Sequence, residues 1–187
     1  MSPKTDPKHV LVVEDNAALR EMLARVLEAR GWQVSTAETV AQVAAIDEHD
    51  TPRFVVVDVD LPDGSAFDVL EHVDRWPVAP AIVAMSGVAS PDAAFRLAQA
   101  GVREYLTKPL SADELTEALA RATTAPDLRP QLRRVVGWVG VHEVEKSVRD
   151  ALLDEALERT NGNRSAAARL LRVSRQLLQH MVRERTS

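Results

Sequence analysis

Residues Phe54 to Gly64 read FVVVDVDLPDG, and the fold is decided here. An apolar run rich in valine leads straight into Asp58, and Asp60, Leu61, Pro62, Asp63 and Gly64 then break regular structure. A short continuous apolar run closed by turn residues predicts a strand buried on both faces, as in a parallel sheet. In open parallel sheets ligands collect just beyond the carboxyl ends of the strands. Asp58 stands at such an end, so the rest of the chain is read for what could meet it there.

Similar runs lie on either side. His9–Val13 (HVLVV) ends at Glu14-Asp15-Asn16, with Asn16 placed to cap a helix in which Leu19, Met22, Leu23 and Val26 recur at helical spacing up to Gly31. Trp32–Ala37 predicts a strand and Val40–Ile46 a short helix. After the Phe54 strand, Phe67, Leu70 and Val73 mark a helix, and Ala81–Met85 (AIVAM) predicts a strand ending at Ser86-Gly87. Ser90-Pro91 opens the next helix, which contains Phe95 and Leu97 and closes at Gly101. Glu104–Thr107 is a short strand ending at Lys108-Pro109. Ser111 with Glu114 forms a capping box before the helix that runs to Ala122, and Leu110 with Leu115 forms its staple. Strands alternating with helices predict an α/β domain, a doubly wound five-stranded parallel sheet with right-handed crossovers, over residues 1–122.

Thr123–Pro130 (TTAPDLRP) reads as linker, and VVGWVGV within Gln131–Val141 is open between a strand and the start of a helix, so 123–143 is taken as a connecting segment. From Val144, the positions Val144, Val148, Leu152, Ala156 and Leu157 predict an amphipathic helix ending near Gly162. Asn163 and Ser174 are placed to cap two further short helices, with Val173 in the turn between them. Two short helices joined by a tight turn make a helix-turn-helix, whose second helix enters the major groove of DNA. A small all-α domain is expected over residues 144–187.

Composition is consistent with this division. The net charge of −5 conceals a balance of −9 over residues 1–145 and +4 over 146–187, so the second part is the one suited to a polyanion. No apolar run approaches the ~20 residues that span a bilayer, and no secretion signal is seen at the start, so no membrane partner is expected. With no cysteine there is no disulfide framework and no thiolate metal site, which fits a cytoplasmic location.

The strand ends bring Glu14-Asp15, Asp58, Ser86 and Lys108 toward one cleft, since neighbouring strands lie ~4.8 Å apart. Clustered carboxylates call for a cation, and oxygen ligands of this kind suit Mg²⁺. Beside a metal, Asp58 could attack an electrophile as an anionic nucleophile. A lysine and a hydroxyl on the same rim suit the oxygens of a transferred phosphoryl group.

The set VLVVEDN, VVVDVDLPDG, AMSG and YLTKP resembles the receiver (CheY-like, flavodoxin-like) domain of two-component response regulators over about 115 residues. The resemblance implies that Asp58 accepts phosphate from the phosphohistidine of a cognate sensor histidine kinase. It implies that Asp15 and Asp58 bind Mg²⁺ directly, Glu14 through water and Asp60 through its backbone carbonyl. It further implies that Lys108 pairs with the phosphoryl oxygens, that Ser86 moves to bond the phosphate and that Tyr105 swings inward behind it, a two-state switch biased by a local charge. Asp-x-Asp at Asp58 and Asp60 also resembles the nucleophile and acid pair of haloacid-dehalogenase-type phosphatases. That family places its further acidic pair late in the chain, whereas Glu14-Asp15 precedes the nucleophile here. No turnover enzyme is expected, at most Mg²⁺-dependent self-phosphorylation and autodephosphorylation at Asp58.

The tail TNGNRSAAARLLRVSRQLLQHMV resembles the C-terminal domain of the nucleoid protein Fis, most specifically in G-N-R-S-x-A-A-R-x-L. By that resemblance the Val144–Thr160 helix dimerises. Arg175, Gln176, Gln179, His180 and Arg183 face double-stranded promoter DNA, with Arg164 and Arg169 nearer its phosphates. Arg172 stands where the family usually has Gly, which would put a bulkier residue at positive φ. Leu177, Gln179, His180 and Met181 depart from a pattern of Thr, Tyr and basic residues and thin the charge that meets phosphate. The expected function is a phosphorylation-controlled, dimeric, DNA-binding transcriptional response regulator. The alternative is a phosphorylation-controlled interaction module whose tail dimerises without binding DNA specifically.

Overall fold

The structure is a computed structural model, and it describes residues 8–47, 51–88, 90–123, 133 and 135–186. The chain divides into two compact units, residues 1–125 and 126–187.

The first unit is built on strands β1 (His9–Val13), β2 (Gln33–Ala37), β3 (Phe54–Asp58), β6 (Ala81–Ser86) and β7 (Glu104–Thr107), all parallel, in the order β2-β1-β3-β6-β7. Helices α1 (Ala17–Ala29), α2 (Val40–Ala44), α3 (Ala66–Val73), α4 (Pro91–Gln99) and α5 (Ala112–Ala122) connect them. Side chains on a strand alternate between faces, so each valine-rich run feeds two cores. Leu11, Val13, Val55, Val57, Ile82 and Ala84 pack with Val40 and Val43 of α2, Val69, Leu70 and Val73 of α3, and Leu97 of α4. Val10, Val12, Val56, Val83 and Met85 pack on the other face with Leu23 and Leu27 of α1 and Leu115, Ala118 and Leu119 of α5. This double burial explains why the strands read as unbroken apolar runs.

The expected helix signals are met: Asn16 accepts from the Leu19 amide, Ser90 from Ala93, and Ser111 with Glu114 closes a capping box. Gly31 and Gly101 take the positive φ that ends α1 and α4. Strand β2 starts at Gln33 rather than Trp32, and α2 ends at Ala44 rather than Ile46. A feature without a signal in the apolar pattern follows Asp58: β4 (Asp60–Leu61) and β5 (Gly64–Ser65) form a two-residue hairpin around Pro62-Asp63. A capping box of Ser65 and Asp68 then starts α3.

The second unit comprises α6 (Val141–Arg159), α7 (Arg164–Leu170) and α8 (Arg175–Thr186). Val135–Trp138 is a turn with Gly137 at φ 85°, so VVGWVGV forms neither a strand nor a helix start until Val141, three residues before the expected onset. Of the expected connecting segment, residues 124–132 and 134 lie outside the described residues. Leu153, Ala156, Ala167, Ala168 and Leu178 form the core. The buried stripe of α6 therefore runs through Leu153 and Ala156, while Val148 and Leu152, two of the positions that marked the amphipathic helix, are 43% and 54% exposed. Asn163 caps α7 by accepting from Ser165 and Ala166, and Ser174 accepts from the Leu177 amide at the start of α8. Arg172 takes φ 56°, the left-handed conformation its place in the turn demands.

Candidate functional site: a carboxylate and lysine cluster at the sheet rim

Strand register alone brings the site together. Val13 lies opposite Val57, so the next residues, Glu14 and Asp58, come level; Asp58 lies opposite Met85, and Ser86 opposite Thr107, which makes Lys108 the next residue out. Backbone bonds continue the ladder past the strand ends, from the Val59 amide to the Met85 carbonyl at 2.8 Å and from the Lys108 amide to the Ser86 carbonyl at 2.7 Å.

Lys108 Nζ donates to Asp58 Oδ2 and to Glu14 Oε2, each at 2.6 Å. Glu14 is 1% exposed and Asp58 7%, so these charges meet where water screens them little. Burial pushes the Glu14 carboxyl above the usual carboxylate range, partly offset by the Lys108 hydrogen bond. For Lys108, burial pulls the ammonium down, but its hydrogen bonds to Asp58 and Glu14 outweigh that and hold it above the ordinary lysine value. Asp15 is exposed beside them, and Glu14, Asp15 and Asp58 offer oxygens within 4.8 Å of one another. A set of hard carboxylate oxygens at this spacing fits a divalent cation of the Mg²⁺ or Ca²⁺ kind.

Ser86 is buried, and its hydroxyl donates to the Val88 carbonyl at 2.9 Å. The Tyr105 hydroxyl donates to the same carbonyl at 3.0 Å. Two hydroxyls on neighbouring strands thus share one acceptor. The Asp60 amide lies 3.4 Å from Asp58 Oδ1, at the root of the β4–β5 hairpin. Of the residues expected at the site, Glu14, Asp15, Asp58 and Lys108 form one cluster, Ser86 sits beside it on β6, and Tyr105 stands behind Ser86 rather than in the cluster.

Two charged side chains beside the cluster are not marked by any sequence pattern. Arg20 on α1 turns back to the Glu14 and Asp15 carbonyls, and Asp63 at the hairpin tip accepts from two amides of α2.

In the second unit Arg164 and Arg169 are exposed on α7, and Arg175, Gln176, His180 and Arg183 are exposed on α8. Gln179 is half-buried, and His180 Nε2 lies 3.3 Å from Glu184. Leu178 anchors α8 in the core, so the basic and amide side chains lie along the rest of its surface.

A doubly wound sheet with an aspartate, an acidic pair, a hydroxyl and a lysine on one rim, followed by a helix-turn-helix, defines a phosphate-operated switch joined to a DNA-reading element. Comparison with known proteins gives this class its family. Residues 10–120 match the response regulator receiver domain, and residues 143–179 match the bacterial regulatory proteins of the Fis family. The photosynthetic apparatus regulatory protein RegA of Rhodobacter capsulatus is 32% identical over 88% of this chain and 90% of its own length. A response regulator from Burkholderia pseudomallei, solved with a phosphorylated aspartic acid, a calcium ion and citrate, is 28% identical. It covers 92% of this chain and 96% of its own, with a TM-score of 0.53. The beryllofluoride-activated NtrC4 receiver domain dimer is 26% identical over 62% of this chain and 95% of its own, with a TM-score of 0.58. The chain belongs to the response regulators: it is a phosphorylation-controlled, DNA-binding regulator of transcription, with a receiver domain and a Fis-type helix-turn-helix. It is a regulator rather than a turnover enzyme of the phosphatase kind. Among the described residues no helix is long and apolar enough to cross a membrane.

Proposed function

We propose that Asp58 is the phosphate acceptor, that Mg²⁺ held by Asp15, Asp58, the Asp60 carbonyl and, through water, Glu14 assists it, and that acylphosphate formation controls a dimeric DNA-binding form. The observation that carries this reading is the Lys108 ammonium, 2.6 Å from both Asp58 and Glu14 on a buried rim. It pairs with the Asp58 carboxylate, and it can pass to a phosphoryl oxygen without leaving the site. An Asp58 carboxylate oxygen attacks phosphorus, the O–P bond forms, the P–N bond of the kinase phosphohistidine breaks, and the imidazole leaves with the electron pair. The metal, when bound, neutralises phosphoryl charge. Ser86 then exchanges the Val88 carbonyl for a phosphoryl oxygen, and Tyr105 gives up its own bond to that carbonyl and turns inward into the space that Ser86 leaves. Self-phosphorylation by small phosphodonors and autodephosphorylation use the same groups.

In the second unit Arg175, Gln176, Gln179, His180 and Arg183 read double-stranded promoter DNA, and Arg164 and Arg169 meet phosphates. Bidentate pairing suits Arg175 to guanine and either glutamine to adenine. Dimerisation is supported by the exposed Val141, Val148 and Leu152 of α6, which border an apolar groove of about 510 Å³ completed by Leu171, Val173 and Met181. The receiver spans 1–122, the connecting segment 123–143 and the DNA-binding domain 144–187, working in the cytoplasm with a cognate sensor histidine kinase. Incubation with a small phosphodonor and Mg²⁺ is the test of the acceptor. The wild type takes up hydroxylamine-sensitive phosphate and Asp58→Asn takes up none; full uptake by the variant contradicts the assignment.

A further inference from the structure

The site rests on two separate loops. Glu14 and Asp15 lie between β1 and α1, whereas Asp58 leads into the β4–β5 hairpin that begins at Asp60. Lys108 bridges Glu14 and Asp58 and offsets their repulsion, but the placement of Asp15 and of the Asp60 carbonyl still depends on how the two loops are held.

Each loop is held by a side chain outside the cluster. On the first, Arg20 Nη1 donates to the carbonyl of Glu14 at 2.6 Å and of Asp15 at 3.2 Å, while Nη2 donates to Glu38 Oε1 at 2.7 Å. The Arg20 side chain is only 12% exposed, so this is a seated guanidinium rather than a solvated one. On the second, Asp63 at the hairpin tip accepts from the Val40 amide at 2.9 Å and the Ala41 amide at 3.0 Å, one bond to each carboxylate oxygen. Both loops are therefore fastened to the same four residues, Glu38 to Ala41. That segment is itself locked: the Glu38 amide donates to Gln42 Oε1 at 2.8 Å, and Thr39 Oγ1 accepts from the Gln42 amide at 3.2 Å. The hairpin also presses closely on its neighbours, since a Cβ at Gly64 would stand 2.9 Å from Asp68 Oδ2 and 3.0 Å from Val40 Cγ2.

We propose that Glu38–Ala41 is a brace that sets the metal affinity of the phosphorylation site, with Arg20 and Asp63 as the positioning residues that tie the two acidic loops to it. The proposal rests on the reading of the rim cluster as an Mg²⁺ site. Neither residue touches the metal; each fixes the backbone from which ligands project, and loss of such outer partners typically costs 10- to 100-fold in metal affinity. At Arg20 the sign of the effect separates positioning from charge. Arg20 is a cation near a cation site, so by Coulomb's law alone its removal would tighten Mg²⁺ binding; positioning requires that its removal weaken binding.

The experiment is calorimetric titration of Mg²⁺ alone into the full-length chain, with thermal unfolding as a check that each variant is folded. The wild type binds; Arg20→Ala and Asp63→Ala each bind about 10-fold more weakly or worse. Arg20→Lys, which keeps a donor for the carbonyls, recovers part of the loss. At saturating Mg²⁺ both alanine variants regain wild-type phosphate uptake from a small phosphodonor, because the defect lies in metal affinity rather than in the acceptor. Unchanged or tighter Mg²⁺ binding in the folded alanine variants overturns the brace. Should Arg20→Ala fail to fold, Arg20→Gln takes its place and must also weaken binding, and Asp63→Asn stands in for Asp63→Ala in the same way. A wild-type chain that binds no Mg²⁺ overturns the metal reading and the brace with it, whereas wild-type binding matched by the variants overturns the brace alone.

Discussion

The two units use apolar sequence in opposite ways. In the receiver unit both faces of the sheet are closed by helices, so most large apolar strand residues are buried, and the buried carboxylates Glu14 and Asp58 lie at one rim. The second unit has a core of two leucines and three alanines, Leu153, Leu178, Ala156, Ala167 and Ala168, and leaves Val141, Val148 and Leu152 exposed along α6. The receiver therefore holds its own chemistry within one chain. The helix-turn-helix unit presents surfaces, basic on one helix and apolar on another, that acquire meaning only against something else.

This contrast is easiest to break at the small core. Leu178 is fully buried, and Leu178→Ala should cost about 2–5 kcal/mol, a large share of what a unit of this size has. The expected outcome is separate melting, with the second unit unfolded at a temperature where the receiver is intact, as read by calorimetry. One cooperative transition shifted as a whole would show that the units are not independent.

A smaller effect is expected at Arg172, held at φ 56°. The left-handed conformation costs a side-chain-bearing residue about 1–2 kcal/mol, and glycine returns part of that gain as unfolded-chain entropy. Arg172→Gly should therefore raise the stability of the second unit by roughly 1 kcal/mol or less, measured by chemical denaturation; a loss of stability would show that the arginine makes compensating contacts.

The smallest effect lies at the helix caps of the receiver. Hydrogen bonds from the Ala41 and Val40 amides hold Asp63 below the usual carboxylate range, the Ser65 hydroxyl and amide do so for Asp68, and the Ser111 amide and hydroxyl for Glu114. A carboxylate with a depressed folded pKa contributes stability above its unfolded value, about 4, and loses it as pH falls through the folded value. Glu14, raised by burial, has the opposite sign: its contribution is present below the unfolded value and is lost as pH rises through the folded one. Acidification below about pH 4 should destabilise the receiver, and Asp68→Asn should flatten that slope in acid denaturation. An unchanged slope would mean that the cap is not coupled to folding.

Much of the receiver was legible because its chemistry is tied to strand ends. An apolar run announces a buried strand, and parallel register then places Glu14, Asp58, Ser86 and Lys108 together without further information. The β4–β5 hairpin was not legible, since Asp60, Leu61, Gly64 and Ser65 carry no alternating pattern and pair over two residues. Nor were the roles of Arg20 and Asp63, which bind the loops through backbone groups, and backbone groups leave no mark in a sequence. In α6 the apolar positions were correctly seen as helical, but two adjacent stripes share that helix. Periodicity could not tell the one buried at Leu153 and Ala156 from the one exposed at Val148 and Leu152.

A charge placed on Asp58 is expected to change how the second unit meets DNA. The direct measurement selects duplex fragments from a random pool and compares salt-dependent affinity with and without a small phosphodonor plus Mg²⁺, for the wild type and Asp58→Asn. Roughly palindromic fragments should be selected, with an affinity that changes on phosphorylation of the wild type and stays fixed in Asp58→Asn. No selected sequence in either state, or an equal response from the variant, would contradict this expectation.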